Sequence, residues 1–337
     1  MEPRKAIIDL TYQGVNISRD IEPFLLSFSY TDSGNGRADD LQISLADVDG
    51  RWRKSWFPRR GDRIKASIQL RNWYSSGTTR TLYCGTFDVD SVDYTGPDDT
   101  ITIQAASYPG NTKIKSEPRS QSWEKVTLRQ IAGQIAKRAG LKLMYEMDEV
   151  VYDRIDQSQE TDLAFLSSRV EAEGGSLKIT SGRLVLFDDR KYEGVKPTRT
   201  IERGKSDILS YSFNLQTTDA AYASCEIKFT DTSKKKTIKG SFSIPGAKGP
   251  VLKLNERVVS VAEATRKARA ALRKANKDAQ RAQLVLMGDC ALVQGVTVKL
   301  LGFGGYDDTY YVETATHTVD GSGGYQTRID LRKVLGY

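Results

Sequence analysis

His317 is the only histidine of the chain, and Cys84, Cys225 and Cys290 are its only cysteines. Catalytic triads and most zinc sites draw on histidine. The cysteines stand far apart, with no C-x-x-C pair among them. Neither a zinc site nor a Cys–His nucleophile can be assembled from this set, and no cofactor is implied. His317 lies in the alternating stretch Tyr310–Asp320, where packing or hydrogen bonding on a strand face is the expected role. The odd number of cysteines points to reduced, partly buried thiols in a protein made in a cytoplasm.

Carboxylates offer more candidates. Asp39, Asp40, Asp47, Asp49 and Asp62 crowd one stretch. D-V-D-G at Asp47–Gly50 echoes part of a calcium loop, but no suitably placed glutamate follows and the flanks read as strand. Asp-Gly is also common hairpin-turn chemistry. A cell-wall glycosidase needs two carboxylates facing each other across a cleft, and no pair stands out. GFGG at Gly302–Gly305 and GSGG at Gly321–Gly324 precede no helix and lack the Lys-Ser/Thr of a phosphate loop, so both read as turns. No catalytic residue and no metal ligand is assigned.

Two groups have the chemistry of an interface. Between Val261 and Arg281 lie Arg266, Lys267, Arg269, Arg273, Lys274, Lys277 and Arg281 against Glu263 and Asp278, a net +5 of the chain's formal +7. Val261, Ala264, Ala268, Ala271, Leu272, Ala275, Ala279 and Ala282 form a narrow small-residue stripe on the same segment, so one face of a helix packs closely. Arg266, Arg269, Arg273 and Lys277 fall on another face. That face is either solvated or an interface with an acidic partner surface. Nucleic-acid contact is disfavoured, because no aromatics interleave. On the interface reading, reversing Arg266, Arg269 and Arg273 to Glu should spare folding and block assembly. The second group is Trp52, Trp56, Phe57 and Pro58, set among Arg51, Arg53, Lys54, Arg59 and Arg60. Aromatic residues with arginine compose interface anchors, while core packing of Trp52 and Trp56 is the competing role.

The elements that must position these groups follow from periodicity. KAIIDLTY, FLLSFSYT, DDLQISLAD, RIKASIQL, TLYCGTFDVDSVDY and DTITIQAAS read as strands separated by Gly- or Asp-bearing turns, including Ser33–Gly36. Pro109-Gly110 marks a boundary. Val126, Leu128, Ile131, Ile135 and Ala139 then make a helical stripe ended by Gly140. A strand near Leu141–Tyr145, a helix from Thr161 and a hairpin over Ser176–Phe187 complete an α+β unit. Beyond Arg199 strands return as ILSYSFNLQ, YASCEIKFT and KTIKGSFSI, and more follow the basic helix. The expected architecture is mainly β. Residues 1–115 and 199–337, the latter including helix 261–281, form two similar β-barrel domains flanking an α+β domain at 122–197.

A faint repeat links the two β regions. GDRIKASI, FDV and TITI in the first match GVTVKL, YYV and TRIDL in the last, in order and polarity. Chance similarity between strands is the alternative reading. Hydrophobic residues make up 39% and charged residues 28%, as in ordinary soluble proteins. No run of 18 apolar residues exists, so no membrane span is expected, and MEPRKAIIDL lacks the apolar core of a signal peptide.

QSQETDLAFLSSRVEAEGGSL, with its E-T-D-x-x-F-L helix, glycine break and hairpin closing on L-V-L-F, resembles the hub proteins of contractile phage tails, a family often labelled late control gene D. DDLQISLADVDGRWRKSWFPRRGD is similar to that family's first-barrel pattern, and GDCALVQGVTVKL, YYVETATHTVD and GGYQTRIDLRK to its last. The loops at Asn72–Thr79 and Asp231–Lys236 depart from it. The resemblance implies a homotrimeric structural hub in the tail baseplate of a virion or tail-like particle, assembled in the bacterial cytoplasm. Its implied partners are the tail tube protein, the central spike protein, the terminus of the tape-measure protein and other baseplate proteins. A tail-like bacteriocin and a secretion apparatus are alternative settings. A tail-tip cell-wall hydrolase is the competing reading of a different class.

Overall fold

Alternation of apolar and polar residues carries the first hundred residues into strands β1 (Lys5–Tyr12), β2 (Val15–Asn16), β3 (Leu25–Ser33), β4 (Asp40–Ala46), β5 (Arg63–Arg71), β6 (Thr79–Thr95) and β7 (Thr100–Ala106), with a short helix α1 at Ser18–Ile21. The computed structural model describes residues 3–34, 36–108, 113–216, 221–231, 236–321 and 324–337. The boundary at Pro109-Gly110 lies outside them, as do Asn35 of the first turn, the middle of the Asp231–Lys236 loop and the centre of GSGG. Leu41, Ile43 and Leu45 of β4 all point inward, as period-two packing requires. They join Phe28, Ile64, Ile68, Phe87, Ile101 and Ile103 in one core.

The period then changes to that of a helix. Thr127 caps α2 (Leu128–Arg138) through a capping box with Gln130, and Gly140, at φ +67°, ends it. Thr161 likewise caps α3 (Asp162–Ala172). Strands β8 (Pro118–Thr127) and β10 (Val151–Thr161) pair antiparallel. The hairpin β11 (Gly175–Thr180) and β12 (Arg183–Asp188) takes β9 (Lys142–Glu146) as a parallel third strand. Leu128, Ile131, Ile135, Phe165, Leu166, Val170, Leu184 and Leu186 fill this unit's own core. Helix α4 (Asp189–Glu193) follows directly, capped by Asp188.

The remaining strands are β13 (Arg199–Glu202), β14 (Ile208–Leu215), β15 (Ser224–Asp231), β16 (Lys236–Ser243), β17 (Val251–Leu254), β18 (Gln280–Met287), β19 (Thr297–Leu301), β20 (Asp308–Asp320) and β21 (Gly324–Lys333). Strands β15, β16 and β17 form a separate small sheet. Helix α5 (Val261–Asn276) packs on it through Ala264, Ala268 and Leu272. The helix expected to run through Arg281 stops at Asn276, whose side chain bonds the Tyr222 backbone at 2.9 Å through both its amide groups. From Gln280 the buried–exposed pattern alternates as a strand.

All the other C-terminal strands join the N-terminal ones in a single 13-stranded sheet ordered β14-β18-β21-β20-β3-β4-β7-β6-β5-β1-β2, with β13 and β19 branching from β20. Its two halves share a wiring. The first runs β3-β4-β7-β6-β5 and the second β14-β18-β21-β20-β19, every pair antiparallel. Two of the irregularities agree, while the shift at Ala66/Ser67 between β5 and β6 has no counterpart between β19 and β20. Register shifts fall at Val89/Ser91 in β6 and Val312/Thr314 in β20, and at Leu25/Ser27 in β3 and Ile208/Ser210 in β14. Bulges re-aim strands at fixed places, so coincident bulges tie the repeat of GDRIKASI, FDV and TITI to matching positions in space.

Candidate functional site

Most of the charge on α5 is neutralised within the chain. Arg266 Nε lies 2.7 Å from Glu173 Oε2, Arg273 Nη2 2.7 Å from Glu193 Oε1, and Lys277 Nζ 2.6 Å from Asp189 Oδ2. Arg332, which is 1% exposed, sits at the centre of this cluster. It meets Asp189 at 3.3 Å, Glu193 at 2.6 Å and Glu313 at 3.2 Å, and Arg281 meets Glu313 at 3.1 Å. Burial alone would lower the Arg332 pKa, but Glu193, Asp189 and Glu313 together hold it above its ordinary value. The cluster binds α4, α5 and the end of β21 together. Arg273 is buried rather than solvated, so a charge reversal there strikes folding first. Arg269 differs from its neighbours: its guanidinium lies over the Phe242 ring at 5.0 Å, and among the described residues it has no ion pair.

Trp52 is core. It is buried against Trp56, edge to face at 5.4 Å, and its backbone N–H donates to Asp47 Oδ1 at 3.0 Å. Trp56 is half-buried under Arg51, whose guanidinium is 5.1 Å from its ring. The exposed aromatic of this loop is Phe57. The clustered aspartates serve local structure. Asp47 also accepts from the Tyr94 hydroxyl at 3.2 Å, and Gly50, at φ +68°, closes the D-V-D-G turn. Asp62 accepts from Tyr12, from Gln13 at 2.7 Å and from the Arg59 N–H at 2.8 Å. Asp39 and Asp32 share the Lys178 ammonium, which joins the α+β unit to the main sheet. His317 is fully buried, its Nδ1 2.9 Å from the Tyr325 hydroxyl, and burial pushes its pKa down to about 4. No group of three or more metal-binding side chains occurs among the described residues.

The open surface with a readable purpose is backbone. Strand β14 ends the main sheet, so one of its sides carries no neighbour among the described strands. Leu209, Tyr211 and Leu215 on it are 53%, 44% and 56% exposed, and ILSYSFNL contains no charge and no proline. Proteins normally blunt such an edge with lysine, proline or a cover. Strand β6 pairs with β5 only as far as Asp88, so from Ser91 to Thr95 it has β7 on one side and no described strand on the other. Both edges have counterparts that are already paired. By the matching bulges, Ser91–Thr95 corresponds to Thr314–Thr318 of β20, and β14 corresponds to β3. Within the chain β20 and β3 pair with each other, Thr316 opposite Thr31 and His317 opposite Tyr30.

Sequence reasoning named neither the edges nor the acids Asp189, Glu193 and Glu313. The lack of charge in ILSYSFNL was a visible signal for the first. The acids lie far from α5 in sequence, and nothing local marks them.

The family model for the phage tail baseplate hub (GPD) matches residues 59–323. A probable baseplate hub protein of Escherichia phage 186 is 30% identical over 180 residues, 53% of this chain and 44% of the relative. Its counterpart in Escherichia phage P2 is 32% identical over 175 residues, 51% of this chain and 42% of the relative. The chain thus matches less than half the length of these relatives. The crystal structure of the 43 kDa tail protein of prophage MuSo2 from Shewanella oneidensis superposes with a TM-score of 0.71 at 17% identity, covering 97% of this chain and 98% of that one. The family model covers most of the chain's length, and the chain belongs to the phage tail baseplate hub family.

Proposed function

We propose that the protein is the structural hub of a contractile tail baseplate, a ring of copies joining the tail tube to the central spike. The observation that carries this reading is the repeated sheet with one junction made and one left open. Each β region wraps around its own core, the first on Phe28, Ile64 and Phe87 and the last on Leu284, Val312 and Ile329. The β20–β3 junction joins the two β regions of one copy. Repeating that junction between copies places β6 of one against β14 of the next. A heterologous contact of this kind gives a closed ring when its rotation closes. Three copies then present six similar units, suited to a sixfold tube on one face and a threefold spike on the other. The role is mechanical and calls for no catalytic residue. The partners are the tube protein, the spike, the tape-measure terminus and neighbouring baseplate proteins, and the site of action is the tail of the assembled particle.

The mass in solution tests this. Purified alone, or mixed with its cognate tube and spike proteins, the chain should form a trimer of about 112 kDa, three times its 37.5 kDa. A monomer that ignores both partners overturns the reading.

A further inference from the structure

A crevice of about 320 Å3 opens between α5 and the α+β unit, bordered by Arg190, Arg266, Arg269 and Arg273 and floored by Met147 and Phe242. Three of its four guanidiniums are occupied. Arg190 pairs with Asp188 and with Asp148 at 3.6 Å, Arg266 with Glu173, and Arg273 with Glu193. Arg269 has no such partner. Its Nε is shut off from solvent without a hydrogen-bond acceptor among the described residues, an arrangement that costs free energy while it lasts. Burial, together with the nearby Arg190 and Arg273, lowers its pKa, and the nearby Asp188 offsets only part of this. The crevice therefore leaves the Arg269 guanidinium outside its ion pairs, beside an apolar floor.

We propose that this crevice docks an acidic segment of a partner protein, one Asp or Glu carboxylate accepting from Arg269 while an adjacent apolar side chain covers Phe242 and Met147. A guanidinium presents two parallel donors to a carboxylate, and the apolar floor favours a peptide over a free ion. This crevice is separate from the open sheet edges of β6 and β14.

The probe is a fluorescent hexaglutamate peptide with an apolar residue at its centre, titrated by anisotropy against the full chain in low salt. Saturable binding, weakened about tenfold or more by Arg269→Met and largely kept by Arg269→Lys, is expected. Lys274→Ala, on an exposed pair next to the crevice, should leave it unchanged. Hydrogen exchange on the unmodified chain gives a reading that needs no variant: the peptide should protect residues 262–273 and 147–150. Binding that Arg269→Met does not weaken, protection elsewhere, or no saturable binding at about 1 mM peptide each overturns the proposal. Displacement by inorganic phosphate at equal concentration also overturns it, since the site would then serve free anions.

Discussion

Charge in this molecule is decided residue by residue, and adjacent positions can differ completely. Arg273 and Lys274 are neighbours on α5, yet Arg273 is 3% exposed on Glu193 while Lys274 meets Glu171 in solvent at 3.0 Å. Removing one partner of a buried pair leaves the other charge stranded. Arg273→Ala should therefore cost about 3–5 kcal/mol in urea unfolding, and Lys274→Ala about 0–1 kcal/mol. Equal costs would show that the Arg332 cluster is not what holds α5. A second residue-scale prediction concerns Asp39. Burial raises its pKa to about 6; Lys178 opposes the rise and Asp32 adds to it. The folded chain therefore keeps a proton on Asp39 that the unfolded chain releases near the ordinary aspartate value. The stability this provides is complete below about pH 4 and is lost as pH rises through about 6. Asp39→Asn removes the dependence, so its melting temperature relative to wild type should climb between those values; a flat difference would refute the assignment. From sequence alone Arg266, Arg269, Arg273 and Lys277 were equivalent members of one face. What separates them is the position of acids some 80 or more residues away in the chain, which no local pattern carries.

At the scale of elements the sequence was readable wherever periodicity or capping chemistry acts locally. Thr161, Gly140 and the alternation in β4 and β21 mark their elements directly. The end of α5 was not readable, because the alanine stripe continues through Ala279 and Ala282 while the chain has already turned at Asn276. Nor can alternation say which strand will lie at an edge, since that depends on sheet order and not on the strand itself. Strand β14 is the case in point. If its open side is where copies meet, Leu209→Lys with Leu215→Lys should block association, as lysine does on natural edges. Both side chains are more than half exposed, so the unfolding free energy should shift by no more than about 0.5 kcal/mol per site. Sedimentation equilibrium would then report a monomer that melts like the wild type. An associating double variant would remove β14 from the interface.

For the whole molecule, the repeat makes a prediction specific enough to name residue pairs. The bulges align Asp93 with Thr316 and Asn214 with Thr31, and Thr316 lies opposite Thr31 in the junction inside the chain. If the same junction recurs between copies, Asp93 of one copy faces Asn214 of the next, and Thr95 faces Ser212. Directly opposed residues of an antiparallel pair have Cα atoms about 4.5–5.5 Å apart, within the span a disulfide bridges. The chain carrying both Asp93→Cys and Asn214→Cys should therefore oxidise into covalent dimers and trimers on a non-reducing gel, while either substitution alone should not. Shifting one partner by a residue, to Asp93→Cys with Phe213→Cys, turns the second thiol to the opposite face and should abolish the ladder. Cross-linking in the shifted pair but not the aligned one would mean that copies meet in another register. Cross-linking in neither would mean that the open edges serve a different partner. In either case the internal junction would not be the template for the ring.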